Sequence, residues 1–411
     1  MSTTQLGGLA PGTEVLPPVT ASNPRPTLSD VRVIDADTHL LETRTLWADH
    51  LPAGRRDLAL RIEDDELGYA WLTAPDGGRI HLAEAQAPGD VPAMGSSRAR
   101  LRRGEPAPAR FDDAVATHDV DPAARVALMD GQGIDEAVVF PHFGLFWVRV
   151  LEDQPAAQLA NMEAWNRWTV EGLRPGGAGR LRPVGHVSLR DPDWLEGQLA
   201  ALAVGGVEAA MVPIGPVDGR PFSHPDLDRC WSAFERHGVS VMFHISDAAR
   251  PFDDAWYEGD ANPVEPLLMS LSISVTPMLA LQDLSVGGVL ERHPGLRVGL
   301  VEFTSSWFAQ FLPGLDAGYR FHAAYNGLAP DRLPLAPSEY LRRQVRIATF
   351  GFERPERLSA TVGDLFMFGS DYPHAEGLAR PLEDFRAAGG PPVDHTTEGL
   401  YRGNIEWLLG R

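Results

Sequence analysis

The stretch VRVIDADTH, residues 31–39, is a short apolar run that ends in acid and imidazole side chains. Asp37 and His39 stand two positions apart, so in an extended strand their side chains share a face. Both fall at the C-terminal end of the run. Seven more runs of this kind follow, at residues 136–141, 182–189, 209–215, 240–246, 297–303, 344–350 and 365–373. Together they make eight candidate strands. His244 ends the run SVMFHIS, and Asp371 ends the last run, LFMFGSDYP.

Helical segments separate most of these runs. DPAARVALMDGQG, DPDWLEGQLAALAVGG and HPDLDRCWSAFERHG each open on Asp-Pro or His-Pro, carry spaced apolar residues and stop at Gly. Those are capped helices. Short apolar strands alternating with capped helices predict parallel βα units whose strands are buried on both faces. Eight of them predict an α/β fold of the (β/α)₈ barrel type, with loop insertions at its C-terminal face. In a closed barrel the three strand ends that carry Asp37, His39, His244 and Asp371 converge on one rim. Oxygen and imidazole donors of this kind suit Zn²⁺, Mn²⁺ or Fe²⁺.

Residues 1–30 are rich in Gly, Pro, Ser and Thr and read as an N-terminal arm. Residues 31–411 read as one barrel domain. Two insertions break its spacing, at about 43–112 and 311–341, and the first contains RIEDDELGYAWLTAPDGGRIHL, which reads as a hairpin over the barrel mouth.

Composition narrows the function. The 411 residues carry 36 basic and 56 acidic side chains, for a formal charge of -20. Every basic residue is Arg, since the sequence contains no Lys. A net-acidic surface repels phosphate backbones, so no nucleic-acid partner is expected. A single cysteine, Cys230, excludes an intramolecular disulfide and a cysteine zinc site. No Walker lysine can exist, and no GxSxG elbow occurs. No run of 18 apolar residues suggests a membrane span. The expectation is a soluble, cytoplasmic enzyme acting on a small molecule.

Several further residues flank the proposed site. Glu42 follows His39 by three positions, Glu302 ends the sixth run, His374 follows Asp371, and His142 follows the second run. Arg55 and Arg56 lie in the first insertion, where a guanidinium can clamp a carboxylate bidentately; Arg56 is the substrate-binding candidate. Phe143, Phe146, Trp147 and Trp307 can line an aromatic pocket. Asp35 shares the strand face of Asp37 one step deeper and reads as a supporting contact.

IDADTHLLE at 34–42, VMFHIS at 241–246, VLERHPGLRVGLVE at 289–302, PSEYLRRQV at 337–345 and MFGSDYPH at 367–374 resemble the amidohydrolase-related superfamily. The similarity is to its branch of small metal-dependent hydrolases and nonoxidative decarboxylases, such as aminocarboxymuconate-semialdehyde and resorcylate-type decarboxylases. It covers most of residues 31–410. The resemblance implies Asp37, His39 and His244 as metal ligands, and Asp371 as a ligand that also takes a proton from metal-bound water. Members of that branch often carry a catalytic His after the sixth strand, in a His-Gly-Gly context. Here Glu302-Phe303-Thr304 stands in its place, leaving Glu302 or His374 as the assisting acid or base.

Without Lys, the carboxylated-lysine bridge of binuclear relatives is closed, so one divalent ion is expected, zinc first and manganese as the alternative. The resemblance also implies a homodimer. The expected reaction is hydrolysis of a small amide, lactone or ester-like substrate by metal-activated water. The alternatives are nonoxidative decarboxylation of a small aromatic or unsaturated acid, and a non-catalytic binding barrel.

Overall fold

Near-continuous apolar runs cannot leave a face in water, so they pair in parallel and are covered on both sides. A computed structural model describes residues 31–246, 273–329 and 332–411 of the chain. The arm expected at residues 1–30 lies outside them. Among the described residues, eleven strands follow in chain order: β1 (Ile34–Leu40), β2 (Arg61–Asp64), β3 (Ala70–Thr73), β4 (Arg79–Leu82), β5 (Glu136–Pro141), β6 (Leu181–His186), β7 (Ala209–Met211), β8 (Ser240–His244), β9 (Val298–Val301), β10 (Val345–Thr349) and β11 (Phe366–Phe368).

The eight long-range strands form one sheet in the order β1-β5-β6-β7-β8-β9-β10-β11, and every adjacent pair is parallel. These are the eight runs read from sequence. β1 and β11 meet through a parallel bridge between Thr38 and Tyr372. There the His39 N–H donates to the Tyr372 carbonyl at 2.7 Å, and the Asp371 N–H donates to the Asp37 carbonyl at 2.9 Å. The fold is a (β/α)₈ barrel.

Alternate residues of the strands fill its interior. Ile34, Ala36, Val138, Phe140, Val184, Ala209, Met211, Met242, Val301, Ala348 and Met367 form one inner cluster. Side chains on the opposite strand faces pack against the surrounding helices through residues such as Leu195, Leu199, Trp231, Phe234 and Leu281. The helices start and stop where the sequence signals them. Asp121 accepts from the Ala124 N–H, and Asp191 from the N–H groups of Asp193 and Trp194. Gly133 and Gly238 end their helices at φ 74° and 66°, a backbone that glycine adopts without a Cβ clash.

Most strands end sooner than the apolar runs suggest. The sixth and eighth runs carry on through Glu302 and Asp371, but both residues take left-handed backbone, at φ 62° and 58°, and leave the ladder. Residues 43–112 hold the antiparallel sheet β2-β3-β4 and a helix at Val91–Arg102. This segment rests on loops that leave the C-terminal ends of barrel strands. The Gly89 N–H donates to the Ala375 carbonyl, and His81 stacks on Phe146 at 4.0 Å. Residues 311–341 are largely helical, within Phe308–Tyr325 and Pro337–Gln344. Among the described residues, no helix is long and apolar enough to cross a membrane.

The opposite rim is fastened by charge. Buried Glu136 pairs with Arg182 at 2.6 Å and Arg411 at 2.7 Å, and also with Arg32. Burial works to raise its pKa, but Arg411 and Arg182 outweigh it and hold the carboxyl down at about 2. The folded value lies below the unfolded one, so the stabilisation is present above pH 4.5 and is lost as pH falls toward 2. Glu136→Gln should therefore cost about 2 kcal/mol at pH 7, discounted because the arginines are partly exposed. Urea melts of both proteins at pH 7 and pH 3.5 check this. A gap that does not shrink at the lower pH would contradict it.

Candidate metal centre

The barrel seam brings the chemistry together. β1 ends with Asp37 and His39, and β8 ends with His244. The turn leaving β9 carries Glu302, and the turn leaving β11 carries Asp371 and His374. His39 Nε2 lies 3.4 Å from Asp37 Oδ1 and 3.4 Å from Asp371 Oδ1. His244 Nε2 lies 3.4 Å from Asp37 Oδ1 and 3.4 Å from Glu302 Oε2. His374 Nδ1 lies 2.7 Å from Asp371 Oδ1, but off the direction of a hydrogen bond.

All of these side chains are buried. Asp37 Oδ1, His39 Nε2, His244 Nε2, Glu302 Oε2, both Asp371 carboxylate oxygens and His374 Nδ1 have no hydrogen-bond partner among the described residues. A buried polar atom left unpaired costs about 1–3 kcal/mol. Seven of them on one spot would be ruinous for a structure with nothing to offer them. A divalent cation satisfies such donors together, and two sets of them lie within 4.8 Å of one another: Asp37, His39 and His244, and His39, Glu302, Asp371 and His374.

The imidazoles are preset for this. His39 Nδ1 lies 3.1 Å from the Pro141 carbonyl, and His244 Nδ1 lies 2.8 Å from the Ile245 carbonyl. A carbonyl only accepts, so each Nδ1 carries the proton and each Nε2 lone pair faces the cluster.

Charge tells the same story. Burial lowers His39, yet Asp37 and Asp371 beside it outweigh that and raise it to about 10. Burial works to raise Asp37, but His244 and His39 hold it well below the carboxylate range. The carboxylates thus draw positive charge onto the spot. Burial, with Asp371 and Asp37 nearby, pushes Glu302 well above its usual value. Burial lowers His244, and holds His374 down at about 4 despite Asp371.

Left-handed φ at a non-glycine residue costs roughly 1–2 kcal/mol. Glu302, Thr304 and Asp371 all adopt it, Thr304 at 55°. Neighbours hold them there. The Trp307 indole N–H is shared between the carbonyls of Phe303 and Thr304, both at 3.0 Å. Glu353 accepts from the N–H groups of Ser305, Ser306 and Phe350. Asp35 accepts from the N–H groups of Ser370 and Asp37, and burial raises its carboxyl to about 7 against those bonds. Asp35 therefore braces the seam, in the supporting place read from sequence.

Glu42 accepts from the N–H groups of His142, Phe143 and Gly144 at 2.8–3.2 Å. That anchors the loop after β5, where His142 Nδ1 meets His374 Nε2 at 3.0 Å and Phe143 packs edge-on to His142. The structure thus brings His142 and Phe143 to the cluster's edge. Trp307 buttresses the Glu302 turn. The structure does not bring Arg56 to the cluster: it is exposed on the 3₁₀ helix Ala53–Leu58, while its neighbour Arg55 pairs with Glu163. Sequence reading passed over Glu353 and His186. His186 had a signal, because it ends the third barrel strand as His244 ends the fifth.

A barrel with buried cation-seeking donors at the C-terminal ends of its strands is a metal-dependent barrel enzyme. The family profile described as amidohydrolase matches residues 34–411, and the chain belongs to that family. No curated protein matches the sequence. Among solved structures, an amidohydrolase from Mycobacterium avium subsp. paratuberculosis shares 25% identity at a TM-score of 0.74, covering 93% of this chain and 100% of its own. A 5-carboxyvanillate decarboxylase from Novosphingobium aromaticivorans, with bound manganese and a nitrobenzoic acid, shares 18% identity at 0.63, covering 93% and 98%. A dihydroxybenzoic acid decarboxylase from Polaromonas, with manganese and 2-nitroresorcinol, shares 15% at 0.57, covering 92% and 97%. The last two are similar in fold.

His244→Ala should lose bound metal while the barrel stays folded. Elemental analysis per chain, alongside circular dichroism, reads both. Metal retained at the wild-type level would remove His244 from the ligand set.

Proposed function

We propose that the protein catalyses the metal-dependent, nonoxidative decarboxylation of a small aromatic acid that carries an oxygen beside its carboxylate. The observation behind this is Glu302. Its Oε2 faces the cluster, buried and without a hydrogen-bond donor among the described residues. Burial and two neighbouring carboxylates favour its protonated form. A neutral acid at the rim of a dry site is what protonation of a carbon requires.

In this reading Asp37, His39, His244 and Asp371 would hold the ion. Manganese replaces the zinc expected from sequence, because two carboxylates raise the oxygen share of the donors and similar folds carry manganese. A divalent ion bound there would supply Lewis-acid stabilisation of the negative charge that develops on the substrate. His142, Phe143 and Phe146 flank the ring. The bond from ring carbon to carboxyl carbon breaks, its electron pair stays on the ring carbon, and CO₂ leaves. Glu302 delivers its proton to that carbon and regains one from water.

Hydrolysis is the second reading. It is favoured by the amidohydrolase relative and by Asp371 lying 2.7 Å from His374, a pair suited to taking a proton from water.

Manganese-loaded protein should release CO₂ from 2-hydroxybenzoates and, in D₂O, place deuterium on the vacated ring carbon. Glu302→Gln should lower kcat by roughly 10²-fold or more with metal content unchanged. Turnover of lactones or amides with no CO₂ from any benzoate would transfer the protein to the hydrolytic reading.

A further inference from the structure

We propose that His186 and Trp147 form a substrate subsite, separate from the cation-binding cluster, that takes a hydroxyl substituent. It deepens the aromatic-acid reading and rests on it for the identity of the substrate, while the subsite itself stands on its own geometry.

His186 is the last residue of β6. Val184, two positions earlier on the same face, belongs to the inner barrel cluster, and so does Met211, the residue paired with His186 on β7. Period-two alternation therefore points the imidazole into the barrel. It does so at the rim where His244 ends β8. The Asn166 side chain clamps the backbone here, accepting from the His186 N–H at 2.6 Å and donating to its carbonyl at 2.9 Å.

The ring of His186 is 1% exposed, and neither nitrogen has a partner among the described residues. The Trp147 ring lies 5.2 Å away, and its buried Nε1 is likewise unpaired. Among the described residues, the core offers these three nitrogens no partner. On the stretches that follow them in sequence lies a cavity of about 110 Å³ whose lining includes Val148, Ser188, Val212 and Ser246. Each of these follows Trp147, His186, Met211 or His244 by one or two positions.

The chemistry of the pair selects its ligand. Burial holds His186 down to about 3, so its ring is neutral and offers one donor and one acceptor. Trp147 only donates. A hydroxyl can accept from one N–H and donate to the bare nitrogen. A carboxylate cannot use that bare nitrogen, and an ammonium cannot accept from the indole.

Two measurements test this on the zinc-loaded protein, which gives sharp resonances where manganese would broaden them. With ¹⁵N-labelled tryptophan, the Trp147 indole signal is identified by its loss in Trp147→Phe, or by its displacement in His186→Leu if the first variant does not fold. Phenol should move that signal and toluene should not, and His186→Leu should abolish the difference. An unmoved signal, or equal shifts with both probes, would overturn the subsite whatever the reaction. Separately, at least one dihydroxybenzoate should bind about tenfold more tightly than salicylate, and both variants should remove that advantage. Equal affinities, or an advantage that survives both variants, would also overturn it. Failure of salicylate itself to bind would count against the decarboxylase reading alone, leaving the phenol comparison to decide the subsite.

Discussion

Uncompensated negative charge in a dry interior is the constraint on which the rest of this barrel turns. Asp37, Glu302 and Asp371 are buried within reach of the same imidazoles. Isolated carboxylates do not survive such burial without a partner or a proton. The protein answers in two ways. Backbone carbonyls fix the tautomers of His39 and His244 so that their lone pairs also face the spot, which makes a cation the natural counter-charge. Glu302, with no donor to its Oε2 among the described residues, takes the other route and favours its proton.

The geometry that permits this is costly and locally reinforced. Non-glycine residues in left-handed backbone turn Glu302 and Asp371 off their strands. The surrounding bonds bear on those turns rather than on the donors. Trp307 and Glu353 grip the β9 turn, while Asp35 and the β1–β11 bridge grip the other. Glu42 does the same for the His142 loop by accepting three N–H groups. Buried carboxylates thus serve both as chemistry and as fasteners, and only the hydrogen bonds tell the two apart.

That distinction explains what was legible in the sequence. The eight strands were readable because parallel barrel strands are apolar on both faces and their separating helices carry Asp or His caps and glycine stops. Asp37, His39, His244 and Asp371 were readable because they sit at strand ends. Arg56 was misplaced because its insertion forms a separate sheet and helix whose path no local pattern specifies. Glu353 was invisible because its role is to hold backbone N–H groups of another loop, and a loop glutamate carries no mark of that. His186 was overlooked for the opposite reason: it closes a strand of ordinary apolar appearance, and its lack of partners among the described residues exists only in three dimensions.

The seam between β1 and β11 has a further consequence, for the order of assembly. The Ser370 N–H reaches Asp35 across 335 positions of chain, so this contact closes one of the longest loops in the molecule. Contacts of such separation form late, since their closure entropy must be met before they return any stability. Asp37 and His39 arrive on one side of the seam, and Asp371 and His374 on the other. No half-barrel holds the full donor set. Metal capture would therefore be coupled to the completion of the barrel, and an ion held by these residues would act as a latch on the finished fold rather than a seed for it.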